Sequence, residues 1–138
     1  MPQDVITTIG NRFVAIFNEQ DPTIADEIFA PNFVAYVSGA PTPTLSREGW
    51  KAYFESLRSG FPDLHLEMKD MIVAQDKLVI RVVLHGTHTN PFQGLPPTGK
   101  HIAFDGIAVH RIENAQVVEH WGVMDLLSMM QQLGAIPS

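Results

Sequence analysis

Asp125 is the residue of this chain best placed by type and surroundings to move a proton. It closes the segment Trp121-Gly122-Val123-Met124-Asp125 and stands directly before Leu126-Leu127-Ser128-Met129-Met130-Gln131-Gln132-Leu133, an apolar run that Gly134 ends. A carboxylate in an apolar pocket works as a general base, because burial raises its pKa toward the working pH. The same position suits a helix N-cap, where an Asp contributes about 0.5–2 kcal/mol by accepting a bond from the first turn. The two roles are compatible, since a carboxylate has two oxygens. His110 and Glu119 can meet across a hairpin, where a carboxylate would orient an imidazole as proton carrier. They can equally form a half-exposed charge pair. Asp105 sits mid-strand, where Asp is disfavoured. It serves either a binding site or an ion pair with Arg81, Arg111 or a second subunit.

His85 and His88 are three apart and, with His65, raise the question of a metal. In a strand that spacing sends the two side chains to opposite faces, so no metal site is expected. His88 alone, in Gly86-Thr87-His88-Thr89, is a candidate hydrogen-bond partner for a substrate. The segment Gly94-Leu95-Pro96-Pro97-Thr98-Gly99-Lys100-His101 nearly matches a phosphate-binding loop. It fails because His101 replaces the hydroxyl residue, Pro96 and Pro97 remove amides, and a strand follows instead of a helix. It reads instead as a flap at a pocket mouth, with Phe92 and Leu95 as plugs. Phe13, Phe17, Trp50, Tyr53 and Trp121 are either core or the apolar walls of a ligand site.

The elements that must position these residues follow from hydrophobic period. Residues 4–18 read as an amphipathic helix through Ile6, Ile9, Phe13, Ile16 and Phe17. Asp21 caps a short second helix with Pro22 at its first position, running to about residue 29. Pro31-Asn32 breaks the chain before a strand at 33–37, and 38–44 is a loop. Ser46 caps a third helix to about residue 58, with Trp50, Tyr53, Phe54 and Leu57 on one face. Beyond residue 63 the period becomes strand-like, with strands at 64–74, 78–89, 102–112 and 117–123. Turns fall at Gln75-Asp76 and Asn114-Ala115, and pairing Ala74 with Lys77 sets Asp70 opposite Arg81. Helices first and antiparallel strands after give an α+β fold, with the helices on one side of a curved sheet and a pocket between them.

A regular last hairpin, with Glu113 opposite Gln116, pairs His110 with Glu119 and Ala108 with Trp121. His110, Glu119, Trp121 and Asp125 then share one face; Asp105, Arg111, His120 and Met124 take the other. A bulge would exchange the faces for part of a strand.

The chain has 138 residues, 45% of them hydrophobic, and no apolar run near the roughly 20 residues of a spanning helix. One domain and no membrane are expected. The start of the sequence carries no basic region before an apolar stretch, which points to the cytoplasm. Cysteine is absent, so disulfides and thiolate chemistry are excluded. With 15 acidic and 9 basic residues, a net charge of −6 and no basic run, nucleic acid is not an expected partner.

Phe61-Pro62-Asp63, Gly86-Thr87-His88-Thr89, the 94–100 segment, Asp105-Gly106-Ile107, residues 119–125 and Gln131-Gln132-Leu133-Gly134 together resemble the SnoaL-like polyketide cyclases of the NTF2-like superfamily. The resemblance covers residues 5–136. It implies a cone-shaped α+β barrel with a deep apolar cavity, commonly a homodimer, without metal or organic cofactor. It further implies proton abstraction next to a carbonyl by an acidic residue, followed by aldol closure of a ring, or a related isomerisation. Asp125 best matches that base, with His110 or His88 as proton partner and a small apolar carbonyl compound as substrate. In this chain Phe13, Phe17 and Trp50 stand where family cavities carry polar helix residues. The alternatives are a small-ligand-binding module of the same fold and, more remotely, an epoxide hydrolase built on Asp70, Arg81 and Asp105.

Overall fold

The apolar stripe from Ile6 to Phe17 is buried on helix α1 (Gln3–Asn18) of the computed structural model, which describes residues 2–138. Two turns led by Asp21, whose carboxylate accepts from the Thr23 amide at 3.0 Å, feed the short helix α2 (Ile24–Ile28). Helix α3 (Arg47–Gly60) begins where the Ser46 hydroxyl accepts from the Gly49 amide at 3.1 Å, and it buries Trp50, Phe54 and Leu57. The strands are β1 (Phe29–Val37), β2 (His65–Ala74), β3 (Lys77–Thr87), β4 (His101–Glu113) and β5 (Gln116–Met124), and helix α4 (Leu126–Leu133) ends the fold.

The five strands form one curved, unclosed sheet in the order β1-β5-β4-β3-β2. All neighbours are antiparallel except β1, which runs parallel to β5. Burial alternates cleanly on β3 and β4: Leu78, Ile80, Val82 and Leu84 face inward, as do Ile102, Phe104, Ala108 and Ile112. Helix α1 lies against β2 and β3, and α3 against β1. The core therefore sits between the helices and the concave face of the sheet. Asp70 pairs with Arg81 as expected, at 2.8 Å.

Two local readings change. The first strand starts at Phe29, four residues earlier than expected, with the break at Pro31-Asn32 absorbed as an irregularity between Phe29 and Val34. The last hairpin is bulged: Ile112 opposes Val117, but Arg111 opposes Glu119, so Val118 is an extra residue. Beyond it, His110 faces His120 and Val109 faces Trp121. The physical reason lies in the adjacent apolar pair Val117-Val118: both are buried, which a strict period of two does not allow.

Two devices fix the ends of β4 and β3. Strand β5 stops opposite Gly106, and the amide of Gln132 on α4 replaces it, donating to the Ala103 carbonyl at 2.6 Å and accepting from the Ala103 amide at 2.9 Å. The Asp63 carboxylate accepts from the Thr87 amide and hydroxyl, both at 2.7 Å, which pins the end of β3 to the turn after α3.

Candidate active site

A hollow of about 60 Å³ lies between the helices and the sheet. Phe13 and Phe17 of α1 and Trp50, Tyr53 and Leu57 of α3 form its walls, while β3 contributes Ile80, Val82 and Leu84. Its floor exists because the inward positions of β4 and β5 carry Gly106, Ala108 and Gly122, with Ala108 and Gly122 directly paired. Larger side chains there would fill the space. The volume admits several water molecules or a small organic group and is below the ~300–1,000 Å³ of pockets that enclose drug-sized ligands.

One imidazole breaks the apolar lining. His120, 3% exposed, reaches the hollow beside Gly122, and its Nδ1 lies 2.9 Å from Nε2 of His110. His110 is fully buried behind it, edge-on to Phe13 at 4.7 Å between ring centroids, and its Nδ1 has no hydrogen-bond partner. Burial pushes His120 down to about 3. Burial, with the neighbouring His120 ring second, holds His110 well below the ordinary imidazole value. Both rings are therefore neutral at pH 7. Tyr53 is the other polar side chain on the wall; its hydroxyl donates to the Ser38 carbonyl at 3.1 Å, and burial pushes its pKa up to about 12. It stays a neutral phenol.

The structure gathers Phe13, Phe17, Trp50 and Tyr53 around one hollow together with His120, and His110 stands just behind. It does not bring Asp125 there. That carboxylate is exposed and accepts from the Ser128 amide at 3.0 Å, as the cap of α4. Trp121 lies on the outer face, stacked on Tyr36 at 6.0 Å, because the Val118 bulge turns it outward. The same bulge moves Glu119 from His110 to Arg111, whose Nε donates to it at 2.6 Å. Asp105 is exposed on the outer face of β4, and so are Asp70 and Arg81 on their strands. The three groups needed for epoxide hydrolysis thus lie outside the hollow. His120 and Gly122 are the residues that sequence reasoning missed; the doubled Val117-Val118 was the signal for them.

His88 is fully buried, but at the neck of the 89–99 loop and not on the hollow. Its amide donates to the Lys100 carbonyl, its carbonyl accepts from the Gly99 amide, and its Nδ1 accepts from the Thr98 amide at 3.2 Å. Phe92 is buried against Phe61, with 5.2 Å between ring centroids, and closely against Gly60. It also borders a second hollow of about 140 Å³ with Gln93 and with Leu126, Met129 and Met130 of α4. Tyr53 and Leu57 line both hollows and separate them.

The sequence model of the SnoaL-like polyketide cyclases matches residues 7–133. The chain belongs to that family. Among solved structures, this SnoaL-like chain is similar to TsrD from Streptomyces laurentii, at 29% identity over 99% of each chain with a TM-score of 0.86. It is 30% identical to IdmH of Streptomyces antibioticus, provisionally described as a polyketide cyclase, over 97% of this chain and 99% of that one, with a TM-score of 0.83. AclR of Streptomyces galilaeus, provisionally described as a hydroxylase, is 26% identical over 96% of this chain and 82% of its own, with a TM-score of 0.86. The same NTF2-like frame thus carries more than one description of chemistry. Comparison with curated proteins gave no match. Within this SnoaL-like chain the segments that carry the family resemblance do structural work: Asp63 holds Thr87, His88 clips the loop neck, and Gly134 ends α4 at a φ of 80°. Among the described residues, no helix is long and apolar enough to cross a membrane.

Proposed function

We propose that this SnoaL-like protein acts on a small, largely apolar carbonyl compound, by aldol cyclisation or isomerisation through its enolate. The observation that carries this is the single imidazole of His120, braced by His110, at the edge of an otherwise apolar hollow. The α-proton leaves to a solvent base at the mouth of the hollow, while the aromatic walls orient the ligand and strengthen the hydrogen bond to the developing enolate oxygen. The site centres on the histidine pair and not on Asp125, whose carboxylate is engaged outside the hollow. The outer hollow beside Phe92 takes the remainder of a ligand longer than the inner one holds. Exposed Tyr36, Ile107 and Val123 beside Trp121 on the outer sheet face support assembly as a homodimer.

A second reading, a non-catalytic binding module, is favoured by one observation: among the described residues, no carboxylate lines the hollow. Deuterium exchange at the α-carbon of cyclopentanone, followed by proton NMR, separates the two. Acceleration by the wild-type protein that disappears in His120→Phe supports the enzyme. Saturable binding without acceleration assigns the protein to the binding class.

A further inference from the structure

The contact between the two buried rings fixes where their protons lie. Two neutral imidazoles carry one N–H each. One of those protons must sit between Nε2 of His110 and Nδ1 of His120, which are 2.9 Å apart. If His120 supplies it, His110 has to carry its own proton on Nδ1, a buried atom with no partner. If His110 supplies it, that orphaned Nδ1 keeps only a lone pair, and the proton of His120 goes to Nε2. A fully buried N–H without an acceptor is the rarer and costlier defect, whereas Nε2 of His120 opens on the hollow, where water or a ligand can accept its proton, so the second arrangement prevails.

Nε2 of His120 sits over the place where Gly122 lacks a side chain; a Cβ there would stand 2.7 Å from it. Both residues line the inner hollow. We infer that the inner hollow presents a fixed N–H donor, on Nε2 of His120, and takes a ligand whose buried end is a pure hydrogen-bond acceptor: the oxygen of a ketone, aldehyde or ester, or of its enolate. This rests on the reading of the hollow as a ligand site. A hydroxyl end would accept the same bond but bring a second donor into largely apolar surroundings, at a desolvation cost the ketone does not carry. An enolate oxygen gains most, because a hydrogen bond to a charged acceptor is the stronger kind.

Long-range proton–nitrogen correlation NMR on protein labelled with ¹⁵N-histidine reads the tautomers directly, and titration with cyclopentanone, cyclopentanol and methylenecyclopentane reads the preference. Both rings are expected as Nε2–H tautomers near neutral pH. Cyclopentanone should bind up to about tenfold more tightly than methylenecyclopentane, with cyclopentanol below the ketone. The difference should vanish in His120→Phe, which keeps a ring in place. A proton on Nδ1 of His110 overturns the donor assignment whatever binds. Equal affinity for ketone and alkene overturns the ligand class. Expected tautomers with no binding of any probe overturn the ligand-site reading itself, and the ligand class with it.

Discussion

His110 and His120 face each other across the β4–β5 pair, with 2.9 Å between Nε2 of one and Nδ1 of the other and almost no access to water. This pair has a consequence for stability. Burial pushes His120 down to about 3 and holds His110 well below 6.5. In the unfolded chain each ring takes up a proton near pH 6.5, whereas the native protein refuses it. Their contribution is thus fully present above about pH 6.5 and is lost as the pH falls toward 3, where the slope for each approaches about 1.4 kcal/mol per pH unit. Urea denaturation at stepped pH should show this fall, and His110→Phe/His120→Phe should flatten it. A double variant as steep as the wild type would contradict the burial of two neutral rings.

Asp125 is expected to matter for folding more than for chemistry. Its carboxylate caps α4 through the Ser128 amide, so Asp125→Ala should cost about 0.5–2 kcal/mol in chemical denaturation. Asp125→Asn, which keeps a capping oxygen, should retain most of that stability together with ligand affinity and any α-carbon exchange activity. Loss of exchange in a fully stable Asp125→Asn protein would return the base to this residue.

Most of the fold was legible because period and punctuation agree: the α1 stripe, the Ser46 cap, the Gln75-Asp76 turn and the Asp70–Arg81 pair all lie where pattern places them. The aromatic walls of the hollow were legible for the same reason, since Phe13, Phe17, Trp50 and Tyr53 recur at helical spacing. The polar end of the site was not. One inserted residue, Val118, exchanges the faces of β5 from Glu119 onward, and the strand alternation after it remains regular enough to hide the change. The dual nature of Asp125 was visible in sequence, but only the capping geometry assigns its carboxylate. Pattern detects alternation well and its phase poorly, and the phase decides which histidine faces the hollow.

Gly122 is expected to be indispensable for access to His120. A Cβ at this position would stand 2.7 Å from Nε2, so Gly122→Ala must displace the imidazole or cover it. Crowding of this kind costs about 1–3 kcal/mol, and the loss should appear in denaturation curves. Binding of cyclopentanone should fall by about tenfold or more, because its hydrogen bond goes with the access. The readout is a ligand titration followed by NMR shifts of the neighbouring methyl groups. Unchanged affinity would mean that the ligand does not meet Nε2.

The outer sheet face makes a separate prediction about assembly. Ile107 and Val123 are direct cross-strand partners, 47% and 65% exposed, and they adjoin the stacked Trp121 and Tyr36. Contiguous apolar surface of this kind is uncommon on a protein that works alone. In a dimer formed through this face, a lysine at either position would carry a charge into a desolvated contact. Sedimentation velocity at micromolar concentration should therefore show a dimer for the wild type and monomer for Val123→Lys. Tyr36, on the same outer face, does not line the inner hollow, so Tyr36→Lys should also give a monomer, with a wild-type ligand affinity. A wild-type protein that sediments as a monomer would remove the dimer from the proposal and leave the cavity reading intact.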